Sequence, residues 1–180
     1  VRYLHDEAQT LPEVLAANRI GRPPLLVGHS DGASIAILHA GAGHPVAGLV
    51  LIAPHVFVDQ EAVASITAIR DGFASSELPA KMARYHVAAE TTFHGWAEVW
   101  LSDGFRTWNI EEYLPGIDRP VLLVQGTEDE YGTERQLEAI ESAVRGPVRR
   151  LMVEGAAHSP HLSHPEVVVP AVAEFIAEVA

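Results

Sequence analysis

The stretch Leu25-Leu26-Val27-Gly28-His29-Ser30-Asp31-Gly32-Ala33-Ser34 constrains this chain more than any other. An apolar run halts at a glycine, one serine stands between two glycines, and a small-residue helical pattern follows. That order dictates a strand, a sharp turn and a helix, the Gly-x-Ser-x-Gly elbow. The turn puts the serine in strained backbone geometry. It predicts that Gly28 and Gly32, two residues to either side, must lack side chains to avoid a collision. The Ser30 hydroxyl is expected to stand clear at the strand's end. The free N–H groups of the new helix then point at whatever that hydroxyl attacks.

The rest of the chain supplies a frame for this turn. Residues 46–53 and 120–126 are apolar runs without alternation, the signature of strands buried on both faces. Residues 148–154 make a fourth strand, more polar and so nearer an edge. Leu4, Ala8, Leu11 and Leu15 form one helical stripe, and Thr10-Leu11-Pro12-Glu13 reads as a capping box. Residues 4–19 are therefore one kinked helix or a turn leading into a shorter one. Gly41 and Gly43 are expected to stop the helix after Ser30. A second capping box, Thr133 to Gln136, starts a helix with Leu137, Ile140 and Val144 inward, ended by Gly146-Pro147. Residues 155–164 read as a loop. Pro165 opens the last helix, with Val168, Val172, Phe175, Ile176 and Val179 on its buried side and Pro170 bending it or shifting its start.

Strand and helix alternate, which predicts an α/β fold: a parallel sheet flanked by helices and joined by right-handed crossovers. Residues 1–180 read as one domain. Within it, residues 55–114 differ, with sparse glycine and proline, helical patterns and all three tryptophans, and are expected to form a helical cap insertion. Trp96 and Trp100 share a helix face. They pack the insertion onto the body, line an apolar acyl pocket, or do both.

Charge and composition narrow the partners. Lys plus Arg number 12 against 24 Asp plus Glu, a formal net charge of -12. That argues against nucleic acid or an anionic membrane surface, whose phosphates need excess basic residues. No apolar run is long enough to span a bilayer, and the N-terminal residues lack a signal core, which predicts a cytoplasmic protein. The chain does not open on methionine, so a processed product or fragment is one expectation. There are no cysteines, hence no disulfide and no thiolate metal site. His158, His161 and His164 are three apart, but Pro160 and Pro165 interrupt the helix that would align them. No metal and no other cofactor is expected.

A serine hydroxyl attacks poorly until a base takes its proton, and the usual base is a histidine held by a carboxylate. In a parallel sheet those groups come from loops at the C-terminal strand ends. Two loops qualify: Thr127-Glu128-Asp129-Glu130 and Gly155-Ala156-Ala157-His158. Either Glu128 or Asp129 can supply the acid. His29, inside the elbow, is expected to be packed or hydrogen-bonded. His55, after a strand end near the cleft, reads as a structural or pocket-wall residue, and His86 and His94 as surface.

Three motifs in this order, Gly28-His29-Ser30-Asp31-Gly32, Gly126-Thr127-Glu128-Asp129 and the Gly155 to His158 loop followed by Pro165, resemble the α/β-hydrolase superfamily. The resemblance covers essentially the whole chain. It implies Ser30 as nucleophile, Asp129 as acid, His158 as base and the Asp31 backbone N–H as one oxyanion donor. It further implies a small-molecule carboxylic ester as substrate, cleaved through an acyl-enzyme. A C–C bond hydrolase of dicarbonyl compounds and a non-catalytic binding module are the alternatives.

The chain departs from the family pattern before Ser30. Only the last helix preceding the elbow is expected there, without the usual earlier strands or their second oxyanion donor. The strand bearing Ser30 would then lie at a sheet edge. The expectation is that a second copy or a separate N-terminal fragment completes the sheet, or that the chain is a truncated product.

Overall fold

In the computed structural model, which describes residues 2–179, four parallel strands form one sheet in the order of the chain. They are β1 (Leu25–His29), β2 (Gly48–Ile52), β3 (Val121–Gly126) and β4 (Val148–Val153). The register runs Leu25 to Gly48, Leu49 to Val121 and Val121 to Val148 at the strand starts. β2 and β3 are buried along their whole length, as their unbroken apolar sequence demands. β1 and β4 are the edges, and β1 leaves Val27 55% exposed.

Helices cover both faces. On one side lie α1 (Tyr3–Ala17), α2 (Asp31–Gly41) and α6 (Glu134–Ala143), joined by α3 (Gln60–Gly72), α4 (Leu78–Met82) and α5 (Ala89–Leu101) from the segment between β2 and β3. On the other side α8 (Pro165–Val179) packs Val168 and Phe175 against Val50, Leu122 and Val124. A single turn, α7 (Pro160–Ser163), interrupts the loop before it. A bridge between Phe57 and Asn109 ties the start of the α3–α5 segment to its end.

Several local expectations need correction. α1 takes the first of its two expected forms, one helix running through Pro12, but Thr10 lies inside it, donating to the Asp6 carbonyl rather than capping. Thr133 does flank α6, but its hydroxyl goes to the Asp59 carboxylate instead of to its own helix. Gly43, at φ 90°, ends α2; Gly41 is still helical, and a Cβ there would lie 2.4 Å from the Tyr113 carbonyl oxygen. Its role is close packing. Ile176 faces solvent, because only every third or fourth position of α8 meets the sheet.

Gln136 shows why the second capping box fails. Its side chain is fully buried and is spent on the segment leaving β2. Its Oε1 accepts from Val56 N at 2.8 Å, and its Nε2 donates to Asp59 Oδ2 at 2.9 Å and to Phe57 O at 3.1 Å. Asp59, also buried, takes Thr133 as well and pairs with Arg135 at 3.7 Å. This knot fixes where the α3–α5 segment departs from the sheet. Replacing Gln136 by leucine leaves the Val56 N–H without a partner and takes one buried donor from the Asp59 carboxylate, which keeps Thr133 and Arg135. We expect it to lower unfolding free energy by about 2–4 kcal/mol, read by urea denaturation.

Candidate active site

The C-terminal ends of β1, β3 and β4 bring Ser30, Asp129 and His158 together. Ser30 holds φ 55° and ψ −121°, a region side chains avoid. It is kept there by its N–H, which donates to Ile52 O at 2.9 Å. Gly28 makes the turn sterically feasible, since a Cβ on it would lie 2.3 Å from the Gly32 carbonyl oxygen. The crowding is one-sided, which corrects the expectation for Gly32: a Cβ there would meet nothing within 4 Å, pointing away from the turn it helps close.

Asp129 and His158 come from neighbouring loops that nearly touch. A Cβ on Gly126 would sit 2.0 Å from the Ala156 carbonyl oxygen, so only glycine admits this approach. Glu128 N donates to that same oxygen at 2.9 Å, while the Glu128 side chain is exposed and takes no part. Asp129, whose side chain is 1% exposed, turns inward instead. Its Oδ1 accepts from His158 Nδ1 at 2.9 Å and from Tyr131 N at 2.9 Å. His158 Nε2 lies 2.9 Å from Ser30 Oγ. A carboxylate on Nδ1 calls for a proton there, and in that tautomer of the neutral ring Nε2 is bare and accepts from the serine hydroxyl.

Residues that local sequence did not single out position this chain of bonds. The His158 backbone N–H donates to Glu130 Oε2 at 3.1 Å, and Gly155 N to Thr127 Oγ1 at 2.9 Å. The Tyr131 ring meets the His158 ring edge-on at 4.8 Å. His29 is hydrogen-bonded, as its place in the elbow suggested: its Nε2–H donates to the His158 carbonyl at 2.9 Å, linking β1 directly to the histidine loop. Three carboxylates in a row after β3 were the one visible hint of Glu130. Nothing in the sequence separates its role from that of a solvated charge.

Burial dominates the electrostatics. It pushes the Asp129 carboxyl up, but the His158 hydrogen bond and charge and the Tyr131 N–H outweigh it and hold the carboxyl below its usual range. Around the base, burial keeps His29 and His161 below the ordinary imidazole value. His55, 2% exposed beneath the site, is held down to about 4, again chiefly by burial. His55 contacts the rings of His158 and Trp100 at 5.8 and 5.3 Å. Trp100 is buried against Phe105 and Trp108, and Trp96, half-buried, touches Phe93. His86 and His94 are exposed. Among the described residues no group of three or more His, Asp or Glu is arranged to hold a metal ion, and no helix is long and apolar enough to cross a membrane.

His55 gives a signed pH prediction. The unfolded chain takes a proton on this imidazole near 6.5, the folded one only near 4. Between those values the unfolded state binds more protons, so stability falls as pH drops through that window and levels below it. His55→Gln should flatten this part of the curve of urea midpoint against pH, leaving the smaller contributions of His5, His29, His39 and His161.

The fold and these motifs agree with what the chain is similar to. A family model described as "Alpha/beta hydrolase family" matches residues 2–171. No curated protein matches the chain. Among solved structures, proline iminopeptidase from Mycobacterium smegmatis superposes with a TM-score of 0.69 at 18% identity, over 95% of this chain and 70% of that one. A thermophilic esterase from Thermogutta terrifontis gives 0.67 at 22% identity, over 96% and 71%. The esterase RhEst1 from Rhodococcus sp. ECU1013 gives 0.65 at 21%, over 96% and 72%. At these identities the likeness is one of fold, while the family match spans nearly the whole sequence. The chain belongs to the alpha/beta hydrolase family.

Proposed function

We propose that this protein is a serine hydrolase that cleaves carboxylic esters through an acyl-enzyme. The observation that carries the reading is the unbroken line of hydrogen bonds from Asp129 through His158 to Ser30. Esterases among its structural neighbours lend the ester its place.

In the first step Ser30 Oγ attacks the ester carbonyl as its proton passes to His158 Nε2. The carbonyl electrons move onto oxygen, which accepts from the backbone N–H of Asp31 at the start of α2. Asp129 fixes the imidazole tautomer and steadies its positive charge while that proton is held. The proton then goes to the departing alcohol. Water attacks the acyl-serine with His158 again as base, releasing the acid and restoring Ser30. Of the three residues expected to line the pocket, half-buried Trp96 is kept as the proposed pocket wall, while His55 and Trp100, each 2% exposed, are packed into the core beneath the site. A neutral imidazole against an indole makes that floor apolar, which suits an apolar acyl group.

A fluorophosphonate probe tests this. It should label Ser30 in the folded protein, and Ser30→Ala should abolish both labelling and turnover of p-nitrophenyl esters. Asp129→Asn should keep the fold and lower kcat by about 10⁴, the cost of losing the correct tautomer. Folded protein that takes no label would favour a binding module. Label without ester turnover, together with cleavage of a dicarbonyl compound, would favour C–C bond hydrolysis.

A further inference from the structure

The elbow carries an acid next to its nucleophile. Asp31 opens α2, and its backbone N–H is the donor given above to the oxyanion. A carboxylate in a helix's first turn is drawn toward the free N–H groups of that turn and the positive end of the dipole. Here such a turn-back would occupy the donors the reaction needs with a negative charge.

The carboxylate goes elsewhere. Asp31 Oδ2 accepts from the Tyr3 hydroxyl at 2.6 Å, a bond reaching 28 positions along the chain. That length is typical of a charge-assisted bond. Tyr3 lies in the first turn of α1, which packs along α2. Burial pushes the Asp31 carboxyl up; opposing it are Tyr3, the nearby indole N–H of Trp100, the charge of His158 and the indole N–H of Trp96. Neither Asp31 Oδ1 nor Trp100 Nε1 has a partner within hydrogen-bonding distance, so the tyrosine is the carboxylate's one close hold among the described residues. Burial, Asp31 and Glu7 together push the Tyr3 hydroxyl well up, which keeps it a donor. The N–H groups of Asp31 and Gly32 meanwhile donate to no other group among the described residues.

We propose that Tyr3 is a positioning residue for the oxyanion site: it holds the Asp31 carboxylate against α1 and so keeps that acid off the N–H groups at the start of α2. It touches no reacting atom and acts only through Asp31. The inference rests on the acyl-transfer reading of Ser30.

The test is a four-protein cycle, wild type, Tyr3→Phe, Asp31→Asn and the double variant, assayed on p-nitrophenyl acetate and by the rate of fluorophosphonate labelling. One oxyanion donor is worth about 10²–10³ in turnover, and a competing carboxylate forfeits part of that. Tyr3→Phe should lower kcat by roughly tenfold or more with KM little changed, and slow labelling in parallel. The double variant should recover to the rate of Asp31→Asn, because without the charge the tyrosine has nothing to restrain. A tyrosine that merely supports the fold gives the opposite, a double variant worse than either single one, and that result overturns the inference. So does a Tyr3→Phe protein with full kcat in a background where wild type is labelled and active. A wild type inert to both probe and ester removes the acyl-transfer reading, and this inference with it.

Discussion

The site depends on a carboxylate buried at the end of β3. Taking Asp129 out of water is costly unless hydrogen bonds replace the lost solvation. Two do so at one oxygen, from His158 Nδ1 and Tyr131 N. The first of these bonds also fixes the imidazole's orientation and tautomer while the second holds the carboxylate in place, so stabilising the charge and aiming Nε2 at Ser30 go together. The glycine before the acid loop matters as much as the acid. Without the close approach of Gly126 to Ala156, the loops after β3 and β4 would stand too far apart for a carboxylate to reach a ring.

Much of this was legible because the relevant signals are local. The elbow is set by five consecutive residues, and the strands by apolar runs whose lack of alternation says that both faces are covered. Asp129 over Glu128 was a choice between adjacent carboxylates, and only the turn's geometry, which sends one inward and one out, decides it. The two capping boxes misled for different reasons. Thr10 lies inside a helix that already begins at Tyr3. At Thr133 a local preference worth about 1 kcal/mol meets a buried partner, Asp59, that competes for the same groups with more at stake. Gly32 shows a different limit: the motif names two glycines, but only the close contact behind Gly28 carries the steric argument here.

The surroundings of the base are themselves a consequence of burial. His29, His55 and His161 crowd it, and each is held below the ordinary imidazole value. Imidazoles that resist protonation do not add positive charge beside the ring to which the proposed mechanism hands a proton. A histidine-rich site thus behaves as an apolar one, which is why a count of ten histidines in the sequence pointed to no particular chemistry.

The Ser30 turn is supported unequally on its two sides. Inward, β1 pairs with β2, and Ser30 N is anchored on Ile52. Outward, β1 is an edge strand, and no neighbour among the described residues braces the turn from there. Two side-chain bonds of long sequence range hold the elbow besides the sheet: His29 to the His158 carbonyl, and Tyr3 to Asp31. Both begin or end on residues flanking Ser30, one before it and one after. An elbow strained at φ 55° on an edge strand stays in place only if its environment over-determines it. Those two flanking bonds, rather than the sheet alone, complete that constraint, tying the elbow to the histidine loop on one side and to α1 on the other.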